Sequence, residues 1–136
     1  MTDLSEIISR VEKASGPDRE LDEAIALTLN IYVRERRGKD RQYWFYKVGG
    51  NDYERRSTHR YAGSNGLPFY TASLDAVLTL LPEDIELDLK LRKDGTGYAC
   101  AWTYHGNRSS NGATLVLAAL SAILRARQAM QMEART

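Results

Sequence analysis

The chain has 136 residues, 43% hydrophobic and 27% charged, with ten Gly, three Pro and a formal net charge of +1. That is the size and make-up of one globular domain, 1–136, and it excludes a disordered, collagenous or coiled-coil chain. A single cysteine, Cys100, excludes an intramolecular disulfide and, with two histidines, makes a poor zinc kit, so neither a metal nor another cofactor is expected.

Asp3 and Glu6 have capping-box spacing, and Leu4, Ile7, Ile8 and Val11 share one side of a helix within 3–15 that Ser15-Gly16-Pro17 stops. Asp18 can cap a second helix over 18–33, where Leu21, Ala24, Ile25, Thr28, Leu29 and Tyr32 keep a 3.6-residue period. Residues 43–48 read as an aromatic strand running into Gly49-Gly50-Asn51-Asp52, with a weak strand near 52–56 and a loop at 61–66. Thr71 or Ser73 caps a third helix whose stripe is Leu74, Val77, Leu78 and Leu81, ended by Pro82.

Ile85, Leu87, Leu89 and Leu91 alternate with Glu86, Asp88, Lys90 and Arg92, giving a strand with one wet face. The turn at 93–97 returns the chain as Tyr98 to His105, so 85–105 is a hairpin and the sheet is at least partly antiparallel. Gly106 to Gly112 reads as a Gly/Ser loop entering an apolar, buried helix from Ala113 to Leu124. Arg125 and Arg127 suit the negative end of that helix, and 129–136 reads as a tail. The class is α+β: a small mixed or antiparallel sheet with helices packed on its faces, like an α/β/α sandwich, its core spanning 68–128.

No apolar run approaches the roughly 18 residues of a membrane span. Asp3 and Glu6 stand where a signal peptide would be basic, so the expected address is the cytoplasm, without membrane association. The charge is uneven. Residues 34–60 hold nine Lys or Arg against four acids. Tyr43, Trp44, Phe45, Tyr46, Tyr53, Tyr61, Phe69 and Tyr70 crowd the same region. Interleaved guanidinium groups and rings are the material of base-stacking and phosphate-pairing sites. The plainer reading is that the rings pack on a core while the charges solvate a loop.

The blocks Phe69 to Pro82, with its Tyr70-Thr71-Ala72-Ser73-Leu74-Asp75-Ala76 run, and Ala113 to Arg127, preceded by Leu21-Asp22-Glu23-Ala24-Ile25-Ala26, resemble the signature segments of the phage ABA-sandwich domain family, over roughly residues 18 to 128. The resemblance implies a sheet with helices on its faces and a phage-encoded origin, in the cytoplasm of an infected or lysogenic bacterial host. It hands over no catalytic residue. Residues 33–67 match no motif of the family.

The segment 106–112 puts Asn107, Arg108, Ser109 and Ser110 before a helix, an arrangement suited to a phosphate or carboxylate; Tyr70 and Thr71 precede another helix entry, where capping competes with anion binding. His59 in its basic stretch would be neutral near pH 7, and Cys100 reads as a packed thiol. No phosphate-binding Gly/Lys loop, metalloprotease or nucleophile-elbow motif is present, so an enzyme is not expected. The leading expectation is a non-catalytic phage accessory or anti-defence protein, the phage context being what the resemblance implies, that sequesters a small anionic nucleotide-derived ligand. Its expected contacts are Trp44, Tyr46, Arg55, Arg56, His59, Arg60, Tyr70, Thr71, Asn107, Arg108, Ser109 and Ser110. The alternatives are a protein-interaction module using 43–48 as an edge strand or patch, with a homodimer or higher homo-oligomer allowed, and a weak single-stranded nucleic-acid binder. Nucleic acid is the least expected partner, because a local charge of +5 is modest.

Overall fold

A computed structural model describes residues 3–37, 41–49, 52–54, 61–104 and 106–134. The class is α+β: four helices pack against two three-stranded antiparallel sheets. Helix α1 (Leu4–Lys13) begins where the Asp3 carboxylate accepts from Glu6 N–H, and its stripe Leu4, Ile7, Ile8 and Val11 is buried. Helix α2 (Arg19–Thr28) is capped by Asp18, which accepts from Leu21 N–H. It stops at Thr28 rather than at 33. Asn30 takes a left-handed conformation, φ 57°, and turns the chain out of the helix.

Tyr32 therefore opens a strand. Strand β1 (Tyr32–Arg37) pairs with β2 (Arg41–Gly49), which pairs with β3 (Asp52–Glu54), in the order β1-β2-β3. The aromatic segment 43–48 thus lies in the middle strand, not at an edge. Where β3 ends, Trp44 N–H donates to Asn65 O at 2.8 Å, so a loop covers that flank of β2.

Helix α3 (Leu74–Leu78) starts at Ser73, whose hydroxyl accepts from Ala76 N–H at 3.3 Å. The hairpin is present as β4 (Glu86–Leu91) and β5 (Gly97–Thr103). Its neighbour β6 (Gly106–Gly112) corrects the loop reading of that segment. The physical reason is close packing by α4 (Leu115–Ala134). A Cβ on Gly112 would come within 2.5 Å of Ala118 N, and one on Gly97 would run into the Leu115 backbone. Glycines that read as turn punctuation instead let a helix settle on a sheet. Ser110 joins the same contact: its hydroxyl meets that of buried Ser121 at 2.8 Å.

Thr114 caps α4 by accepting from Leu117 N–H at 3.1 Å, and the helix runs on to Ala134, through most of the segment read as a tail. Leu117, Leu120, Ile123 and Leu124 are fully buried with Ile7, Ile25, Trp44, Leu67 and Tyr70 in one continuous core. Ala99 and Ala101 meet that core, while Trp102 on the opposite face of the second sheet is 48% exposed. No helix among the described residues is long and apolar enough to cross a membrane.

Candidate functional site

The segment leading to α3 is tied to the start of α2 by one buried carboxylate. Asp22 is 1% exposed and accepts from Thr71 N–H and Thr71 Oγ1, both at 2.8 Å, and from Arg19 Nη1 at 2.8 Å. Thr71 Oγ1 in turn accepts from Asp18 N–H at 2.7 Å. Arg19 spans the junction, donating to Pro68 O and Leu67 O at 3.0 Å, its guanidinium carbon 4.1 Å from the Phe69 ring centre. Burial raises the Asp22 pKa, against the bonds from Thr71 and Arg19 that lower it. These groups satisfy one another. Thr71 binds the protein's own backbone and carboxylate, so its expected role as a ligand contact gives way to an internal one.

Beside this clamp lies a different kind of cluster. Tyr70, in the turn before α3, is 0% exposed, and its hydroxyl has no hydrogen-bond partner among the described residues. Burial pushes its phenol far above the ordinary tyrosine value, and the hydroxyl lies within electrostatic reach of Tyr32, Tyr61, Arg127 and Asp22. Arg127, on α4, donates Nε–H to Leu80 O at 2.7 Å. No carboxylate among the described residues pairs with it. Burial lowers its pKa below the usual arginine value, against the electrostatic influence of Tyr70 and Tyr46, which raises it. The Tyr46 ring stands edge-on to Tyr32, centres 5.5 Å apart.

This half-buried guanidinium, within electrostatic reach of Tyr70 and Tyr46, is chemically suited to an anion. Moving a cation out of water is costly, and a carbonyl oxygen offsets that cost less than a counter-charge does. Two further guanidinium nitrogens and an unsatisfied hydroxyl are the donors a phosphate or carboxylate would use. Trp44 Nε1 is a second buried donor without a partner among the described residues.

Of the expected contacts, Tyr46 and Tyr70 lie within electrostatic reach of Arg127. Trp44 is 0% exposed, and the rings of Trp44 and Tyr70 belong to the core, which corrects their reading as base-stacking platforms. Arg34, paired with Trp44 across β1 and β2, places its guanidinium carbon 5.9 Å from that ring centre. Asn107, Arg108, Ser109 and Ser110 belong to the second sheet, whereas Trp44 and Tyr46 belong to the first. Arg108 Nη1 bonds to Asn107 O at 2.9 Å, and Ser110 is buried under α4. Arg55, Arg56, His59 and Arg60 lie outside the described residues.

Arg127 is the residue that the sequence reading put to another use. Its signal is a cation one turn beyond the apolar Ile123 and Leu124. A small α+β protein with a half-buried arginine that no carboxylate among the described residues pairs is thus the class defined by fold and site. Comparison with protein-family models, curated proteins and solved structures gives no match to this chain.

Proposed function

We propose that the chain is a non-catalytic binding protein that holds a small anionic, nucleotide-derived ligand, with Arg127 and Tyr70 receiving its anionic group. The observation that carries this reading is a guanidinium drawn out of water beside an unsatisfied buried hydroxyl, with no carboxylate partner among the described residues. An anion placed there pairs with the desolvated cation and satisfies the hydroxyl at once. Tyr46 and Tyr61, both partly exposed, supply aromatic surface at the cluster's rim for the ligand's base. The resemblance to phage ABA-sandwich proteins supports a phage accessory role, in which holding the ligand removes a host immune signal from circulation.

The test is calorimetry of the full chain with cyclic dinucleotides and ADP-ribose derivatives, alongside Arg127→Gln. Wild type binds one of them at micromolar concentration or tighter, and the variant loses about tenfold or more in affinity, roughly the 1.4 kcal/mol of one charge-assisted bond. Binding of none of them at high micromolar concentration, or equal binding by Arg127→Gln, refutes the proposal.

A further inference from the structure

The second sheet ends at β4, and hairpin geometry fixes which backbone groups lie on its outer side. Arg92 N–H donates to Thr96 O at 2.9 Å, on the same unbroken ladder as the Leu91–Gly97 and Lys90–Tyr98 pairs. Antiparallel ladders alternate, so Lys90 and Asp88 also turn their N–H and C=O groups toward β5. Leu87, Leu89 and Leu91 turn theirs to the open edge. These leucines also share the sheet face on which α4 packs, and Leu89 and Leu91 remain 37% and 65% exposed. An edge of this kind, straight and without proline or bulge, is a template for another strand.

We propose that β4 pairs antiparallel with β4 of a second copy of this chain, about a two-fold axis through Leu89, joining two three-stranded sheets into one of six strands. Charge selects both partner and register. Outward-turned leucines must face outward-turned leucines, which leaves three central alignments. With Leu87 opposite Leu89 of the second copy, Asp88 faces Asp88. With Leu89 opposite Leu91, Lys90 faces Lys90. With Leu89 opposite Leu89, Asp88 faces Lys90, Glu86 faces Arg92 and Leu87 faces Leu91, each pair occurring twice, and no like charges meet.

Asp88 and Lys90 are free to make their pair. Asp88 uses Oδ2 to accept from Trp102 Nε1 at 2.6 Å, leaving Oδ1 for the ammonium opposite. Lys90 has no partner among the described residues. Arg92 reaches inward across β5, donating Nη2 to Asn111 Oδ1 at 2.7 Å and Nη1 to Thr96 Oγ1 and Gly97 O at 3.4 Å, so it has to swing outward to meet Glu86, and the Asp88–Lys90 pairs carry the selection. On the α4 side, six leucines would form one apolar strip across the junction. The interface is isologous, so it closes as a dimer instead of propagating as a filament.

Sedimentation of the full chain tests this. The mass rises with concentration from 15.3 kDa toward twice that value. Lys90→Asp, an exposed change that sets a second carboxylate against Asp88 at both ends of the axis, weakens self-association about tenfold or more, while Asp88→Lys/Lys90→Asp restores most of it. The swap also tests register, because in either neighbouring alignment a like charge still faces itself. Circular dichroism establishes that each variant is folded. A monomer at about 200 µM, an interface of weaker class than any stable dimer, overturns the proposal. So does a dimer indifferent to Lys90→Asp, which would place the contact on β6 or elsewhere.

Discussion

Replacing Asp22 by Ala removes the acceptor on which the α2–α3 junction depends. Three donors lose their partner: Thr71 N–H, Thr71 Oγ1 and Arg19 Nη1, each at 2.8 Å. The hydroxyl can redirect to Asp18 O, already 3.2 Å away, and Arg19 keeps Pro68 O and Leu67 O. The Thr71 N–H has no such alternative, and a buried donor left unpaired costs about 1–3 kcal/mol. The ion pair adds well under 1 kcal/mol, because the Arg19 side chain is 41% exposed. Relief of the carboxylate's desolvation offsets part of the loss. The net is about 2 kcal/mol, a large share of the roughly 5–15 kcal/mol that holds a small domain together. Urea titration followed by far-ultraviolet circular dichroism measures it. Thr71→Val and the double variant complete a cycle in which the two losses overlap instead of adding. A change below about 0.5 kcal/mol with an unaltered denaturant slope would show that the clamp is ornamental and refute the reasoning.

Tyr70→Phe removes a buried hydroxyl without a partner among the described residues, so it raises the melting temperature of the free protein while weakening binding of the proposed anionic ligand. Calorimetry and thermal melts on the same samples separate the two, and a drop in both would show that the hydroxyl has an internal partner. Gly112→Ala drives a methyl to within 2.5 Å of Ala118 N and costs about 1–3 kcal/mol by thermal or urea denaturation. The Asp22 pKa is raised above 3.8 by burial, so the folded chain holds this proton more tightly than the unfolded chain does. That contribution to stability is complete below 3.8 and is lost as pH rises through the folded-state value. The margin of wild type over Asp22→Asn should therefore be greatest in acid and shrink toward neutrality; a margin that grows with pH would reverse the sign.

Local chemistry was legible wherever one residue decides one bond. Asp3, Asp18 and Ser73 cap the helices they precede, and the alternation from Leu87 to Leu91 marks a strand with two unlike faces. The period of α2 carried on to Tyr32, but periodicity records which side is apolar and cannot show that Asn30 has already turned the chain. Gly106 to Gly112 has the composition of a loop because α4 demands small residues beneath it, and that demand is tertiary. Trp44 and Tyr70 stand out in the sequence as rings among cations; burial hides the rings and leaves Nε1 and the hydroxyl without a partner among the described residues. Arg127 could not be distinguished from Arg125 by spacing. Arg125 reaches Glu12 of α1, whereas Arg127 bonds to Leu80 O within electrostatic reach of Tyr70 and Tyr46.

The account rests on Arg127 as the receiver of an anion, and nuclear magnetic resonance of guanidinium-labelled arginine observes that group directly. Titration with ADP-ribose and with a cyclic dinucleotide should shift the Arg127 signals, assigned by their absence in Arg127→Gln, and slow exchange of their protons as new hydrogen bonds form. Signals of Arg127 that stay fixed at saturating concentrations of both compounds would contradict the account.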